Sequence, residues 1–165
     1  VYHCDDALYA VANPRWYRLR FRHADLVLTG NREIAAVAEE AGATVELWDG
    51  AVEVGRYPLR RHEARRPVVI GWVGHHPPLL RSIAPALARV CAQGHARLKV
   101  VGDTPLEAPE LGSALENEQW RPEREFDVFG EFDIGIMPLE NTEYNRGKEA
   151  FKIKEHMAAG LPVVC

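Results

Sequence analysis

GKEAFKIKEHMAAGLPVVC, residues 147–165, decides how the rest of the chain is read. It opens on Gly147, carries roughly three turns of helical pattern to Gly160, and passes into an apolar run fit for a strand. At about 100° per residue, Ala150, Ile153 and Met157 share the stripe expected to lie on a sheet. Lys148, Lys152 and Glu155 share the opposite stripe. A helix start presents unpaired N–H groups and a positive dipole end, both suited to phosphate. Two lysines near that end and a carboxylate further along can therefore hold a diphosphate and a sugar hydroxyl. The same stripe is also the solvated face of any amphipathic helix, and periodicity does not choose between the two.

Outward from this stretch the chain alternates strand and helix patterns. DIGIMPL, residues 133–139, reads as the preceding strand, and the polar loop with Glu140, Asn141, Glu143 and Tyr144 follows its carboxyl end, where open α/β sheets bind ligands. The apolar run 68–74 carries two glycines and ends at His75 and His76; an amphipathic helix is expected over 79–91, stopped by Gly94. Strand, glycine turn and helix let backbone N–H groups approach a phosphate, which makes Gly74 and His75 candidates for that contact. RLKVVG, 97–102, reads as another strand with Asp103 at its end, residues 104–119 as an excursion without periodicity, and 123–129 as a short helix with Phe126 and Val128 in the core. Earlier, ADLVLT at 24–29 and 44–48 read as strands around a helix capped by Asn31 and stopped at Gly42. Residues 14–23 form a basic, aromatic helix with Pro14 in its first turn. Its Arg15, Arg18, Arg20 and Arg22 suit either an acidic membrane surface or plain solvent.

The fold class implied is α/β with parallel sheets in two parts. Residues 1–57 form one, 58–66 an arginine-rich linker, and 67–165 the other. With 165 residues, 47% hydrophobic, the chain can bury a core, and a net charge of -4 speaks against a general nucleic-acid binder. No run of eighteen apolar residues is present, the length that would suggest a membrane span. The three cysteines, Cys4, Cys91 and Cys165, lie far apart without metal-ligand spacing, as expected in a reducing, cytoplasmic setting. Adjacent Asp5 and Asp6 can bind a divalent cation or cap the next helix; His75 and His76 lack a third ligand, and no metal is expected. A chain that starts at Val1 and stops within an apolar strand reads as an internal fragment of a longer protein.

Gly147, Lys148, Phe151, Lys152, Glu155, Met157, Ala158, Ala159, Gly160, Pro162, Val163 and Val164 together resemble the donor-binding segment of retaining GT-B glycosyltransferases, the large family four. IGWVGHH at 70–76 resembles the glycine-turn strand that opens the family's C-terminal domain, and DIGIMPL resembles the strand before the donor loop. The resemblance covers the chain from about Ala24 onward. It implies transfer of a sugar from a nucleotide-diphosphate sugar to an acceptor hydroxyl with retention, the donor lying between two Rossmann-like domains. It further implies that Glu155 receives the ribose hydroxyls. Lys152, Lys148 and amides near Gly74, His75 and Gly147 would neutralise the leaving diphosphate, with Lys152 as the catalytic group and no cofactor or metal. One position departs from the family. The first of two glutamates, which meets the donor sugar, falls at Gly147. That departure keeps open a non-catalytic nucleotide-sugar binder or degenerate subunit. A sugar-nucleotide epimerase lacks support because neither a G-x-G-x-x-G turn nor a Tyr-x-x-x-Lys pair occurs, and a receiver module fits poorly after Gly147. The acceptor is not specified, and peripheral membrane association is compatible with the arginines of 14–23.

Overall fold

The computed structural model describes residues 1–61 and 66–165. Residues 62–65 of the expected linker lie outside the described residues. The chain divides into two compact units. The first comprises Val1–Ala51 with Glu140–Phe151, the second Val52–Leu139 with Lys152–Cys165. The expected linker at 58–66 thus lies within the span of the second unit, and 140–151 groups with the first.

In the first unit, β1 (Tyr2–His3), β2 (Val27–Thr29) and β3 (Val45–Leu47) form a parallel sheet in the order β1-β2-β3. Helix α1 (Pro14–His23) links the first pair and α2 (Arg32–Glu40) the second. The local signals act as expected. Asn13 accepts from the N–H groups of Arg15 and Trp16, with Pro14 at the helix start, and Asn31 accepts from those of Glu33 and Ile34. Gly42, at φ 89°, ends α2 in a conformation that glycine adopts without strain. Tyr17, Phe21, Val27, Ile34 and Ala38 fill the core.

In the second unit, β4 (Val68–Gly74), β5 (Ala96–Gly102), β6 (Leu115–Gln119), β7 (Ile134–Ile136) and β8 (Val163–Val164) form a wholly parallel sheet in the order β6-β5-β4-β7-β8. Helix α3 (Ala84–Cys91) links β4 to β5, and α5 (Phe151–Ala158) precedes β8. The period of two along β4 sends Ile70 and Trp72 to the layer with Leu80, Ala84 and Leu87, and Val69 and Val73 to the layer with Phe129, Phe132 and Ala159. Burial on both faces is why this strand is apolar without alternation. The expected helix 79–91 is divided into a tight 3-10 segment, Pro77–Ser82, and α3.

Three expectations need correction. Residues 104–119 are not an elementless excursion. They hold a 3-10 segment, Pro109–Ala114, and the edge strand β6. The strand escaped notice because LENEQ is polar, its Glu116 and Glu118 being satisfied by Lys99 at 2.8 and 2.6 Å rather than by water alone. The short helix over 123–129 is two 3-10 turns, Pro122–Arg124 and Asp127–Glu131, although Val128 is fully buried as expected.

The stretch 147–165 also differs from expectation. α5 begins at Phe151, so Gly147 and Lys148 lie before it, after the short α4 (Glu143–Arg146). Its faces are also reversed, with Glu155 4% exposed and Met157 65%. A buried carboxylate with partners and a buried imidazole between rings outweigh the apolar stripe. Among the described residues, no helix is long and apolar enough to cross a membrane.

Candidate functional site at the carboxyl edge of the second sheet

The strand order of the second unit, third-second-first-fourth-fifth in chain order, is that of a doubly wound sheet, in which the central strand has neighbours reached by connections in opposite senses. From β4 the chain moves outward to β5 on one side, while β7, on the other side of β4, is continued outward by β8. The crevice at such a reversal opens at the carboxyl ends of the two strands. Gly74 is the last residue of β4 and His75 follows it. A side chain at 74 would meet the Trp72 ring at 2.7 Å, so packing within the strand accounts for this glycine. His75 is largely exposed, and its Nδ1 lies 2.8 Å from Oδ2 of Asp103, which follows β5. The two loops are thereby tied together at the same edge.

Arg60 fixes the direction of α5. Its N–H donates to the carbonyl of Ala159 at 2.8 Å, and its guanidinium donates to Asp133, directly before β7, at 2.9 Å. Asp133 in turn accepts from the N–H of Val69 at the start of β4. The end of α5 therefore lies at the amino edge of the sheet, and its start, with Lys152, lies at the carboxyl edge, the edge of Gly74 and His75.

One turn into α5, the Glu155 carboxylate is buried between two partners. Oε1 accepts from the Tyr57 hydroxyl at 3.0 Å. Oε2 meets the Lys152 ammonium at 2.7 Å, an ion-pair contact off hydrogen-bond alignment and its single partner among the described residues. Lys152 remains 37% exposed, so a buried anion holds a cation at the surface. Burial, then the neighbouring Glu155 charge, raises the Tyr57 phenol well above its usual range. His156, 1% exposed, stands edge-on to Phe129 at 5.1 Å, and its Nδ1 has no hydrogen-bond partner among the described residues. Burial, and secondarily the Lys152 charge, lowers its pKa to about 4, so the ring is neutral near pH 7.

The remaining expected residues belong to the first unit. Gly147 is packed so closely on Ala7 that a side chain there would collide with it. Lys148 lies 4.8 Å from the Tyr144 ring centroid and 3.9 Å from Asp6, whose carboxylate also accepts from the Tyr144 hydroxyl at 3.0 Å. Asn31 donates to the carbonyls of Arg146 and Lys148 at 2.8 and 3.0 Å and so anchors this loop.

Two groups escaped the sequence reading. Tyr57 lies in a stretch of arginines and a proline that carries no periodic signal. Lys99, 4% exposed, is ringed by Glu116, Glu118 and Glu131 at 2.8, 2.6 and 2.6 Å, with Arg124 bridging Glu118 and Glu131. Burial alone would lower the Lys99 pKa, but the three carboxylates outweigh it and raise it. Glu118 and Glu131 are held below the usual carboxylate range because Lys99 and Arg124 overcome their burial.

No protein-family model matches the chain, and no curated protein matches it. Among solved structures, a Glycosylation Associate Protein (Gap123) complex from Streptococcus agalactiae is similar at TM-score 0.51 and 14% identity, over 85% of this chain and 32% of that one. A CobK precorrin-6A reductase aligns at TM-score 0.41 and 14% identity, over 93% of this chain and 66% of that one, a likeness too loose to build on. The chain spans about a third of the length of the first of these and under two thirds of the second. The likeness at this identity is one of fold. The chain is an α/β protein with two parallel, Rossmann-like sheets.

Proposed function

We propose that the chain is the donor-binding part of a glycosyltransferase of the retaining GT-B kind, moving a sugar from a nucleotide-diphosphate sugar to an acceptor hydroxyl. The observation that carries this reading is the placement of Lys152. It is partly exposed, fixed by buried Glu155 at 2.7 Å, and sits at the sheet edge where β4 ends at Gly74, before His75. In this reading the Lys152 ammonium and the amides after β4 take up the charge that grows on the departing diphosphate, a preorganised electrostatic role. Glu155 accepts a ribose hydroxyl on the oxygen now shared with Tyr57. The Glycosylation Associate Protein complex shares the fold with this chain at 14% identity, and its name is all it adds in support of a role in glycosylation.

The experiment is a screen of nucleotide sugars for turnover by the longest protein that carries this chain, with Lys152→Ala alongside. Turnover should fall by roughly two orders of magnitude in the variant. Equal turnover in both proteins removes Lys152 from the mechanism.

A second reading is favoured by Gly147. The family's first glutamate would stand there, and Ala7 leaves no space for any side chain without movement. A non-catalytic nucleotide-sugar-binding subunit would bind the donor and release no nucleotide, with or without acceptor.

A further inference from the structure

We propose that α1 is a docking surface for an anionic lipid bilayer, an inference independent of the glycosyltransferase reading. Tyr17 and Phe21 are the buried side chains of α1. At about 100° per residue, Leu19 falls diametrically opposite their midpoint, at the centre of the outward face. A leucine 53% exposed in that position is ringed along the helix by Arg15, Arg18, Arg22 and Trp16, the last 45% exposed. Val11, in the turn before α1, is 65% exposed. The helix holds four arginines and no acidic residue. Glu40 of α2 meets Arg18 at 3.5 Å, a contact between exposed groups that is screened by water. The Arg20 guanidinium lies 3.2 Å from the Trp16 ring centroid, which holds the indole beside the charges.

A single exposed leucine is ordinary, but one at the hub of a basic helix without acidic residues of its own, with an indole beside it, is the pattern of an interfacial helix. The charge complements anionic headgroups. The apolar centre selects a bilayer over nucleic acid, since a phosphate backbone offers Leu19 nothing to enter. A net charge of -4 for the chain opposes general attachment to polyanions, so the attraction is local to this face.

Flotation with vesicles of equal parts phosphatidylcholine and phosphatidylglycerol, against vesicles of phosphatidylcholine alone, tests it. Binding should favour the mixed vesicles at least tenfold or so and weaken with added salt. Arg15→Glu with Arg22→Glu should lower it by about tenfold or more, and Trp16→Ala with Leu19→Ala by a similar factor, with circular dichroism confirming that each variant stays folded. Three results would overturn the proposal: equal partition onto both vesicle types, full binding by the Trp16/Leu19 variant, or tighter binding of single-stranded nucleic acid that the Trp16/Leu19 variant retains.

Discussion

Replacing Lys99 with methionine removes the cation at the centre of the charge cluster on β5 and β6 and keeps most of the side-chain volume. Three carboxylates, Glu116, Glu118 and Glu131, then share Arg124 and Arg97. Removing one member of a buried ionic set costs about 3–5 kcal/mol, because the others stay desolvated without compensation. The glutamates are 37%, 25% and 37% exposed, so water screens part of that loss, and the low end, about 3 kcal/mol, is expected. In guanidinium unfolding this is a midpoint shift on the order of 1 M.

The pH dependence adds a sign. Glu118 and Glu131 have depressed pKa values in the folded protein, so their contribution is present above the unfolded carboxylate pKa of about 4.3 and lost as pH falls through the folded values. Lys99 is raised, so its contribution is full below its unfolded value of about 10.4 and lost only as pH rises through the folded one. The gap between Lys99→Met and the parent should therefore be widest near pH 7 and close on the acid side below about pH 4. A gap under about 1 kcal/mol at pH 7 would refute the reasoning, and the cluster would then be a screened surface set.

His156 should titrate near pH 4 by proton NMR, and because its folded pKa is lowered, its contribution is present above the unfolded value near 6.5 and lost as pH falls toward about 4; titration near 6.5 contradicts its burial. Gly135→Ala places a methyl against the His156 ring and should destabilise the protein by about 1–3 kcal/mol in thermal unfolding, whereas a neutral result means that the ring is free to shift. Asn31→Ala removes a helix cap and two bonds to the 146–148 backbone; a loss of about 1–2 kcal/mol, with faster amide exchange around Lys148, is expected.

What was legible in the sequence had a period or a cap behind it. β4 stood out because burial on both faces leaves an unbroken apolar run, and α1 and α2 because Asn13, Pro14, Asn31 and Gly42 sit where backbone geometry demands such residues. β6 was illegible because its glutamates are paired with Lys99, a distant partner on β5 that no local pattern reveals. The face of α5 was misread for a related reason. Glu155 and His156 are interior because Tyr57, Lys152, Phe129 and the glycine at 135 make room for them, while Met157 stays outside. Spacing put Lys148 and Lys152 on one stripe, but the helix starts after the first of them. The Lys152–Glu155 pair was visible from its i, i+3 spacing; the phenol that holds the carboxylate was not.

Residue-resolved NMR during titration with a panel of nucleoside diphosphates and their sugars tests the central claim most directly. Saturable shifts at Gly74, His75 and Lys152, absent in Lys152→Ala, are predicted. Shifts confined to the amino edge, at Val69 and Asp133, or no saturable shift with any member of the panel, would contradict it.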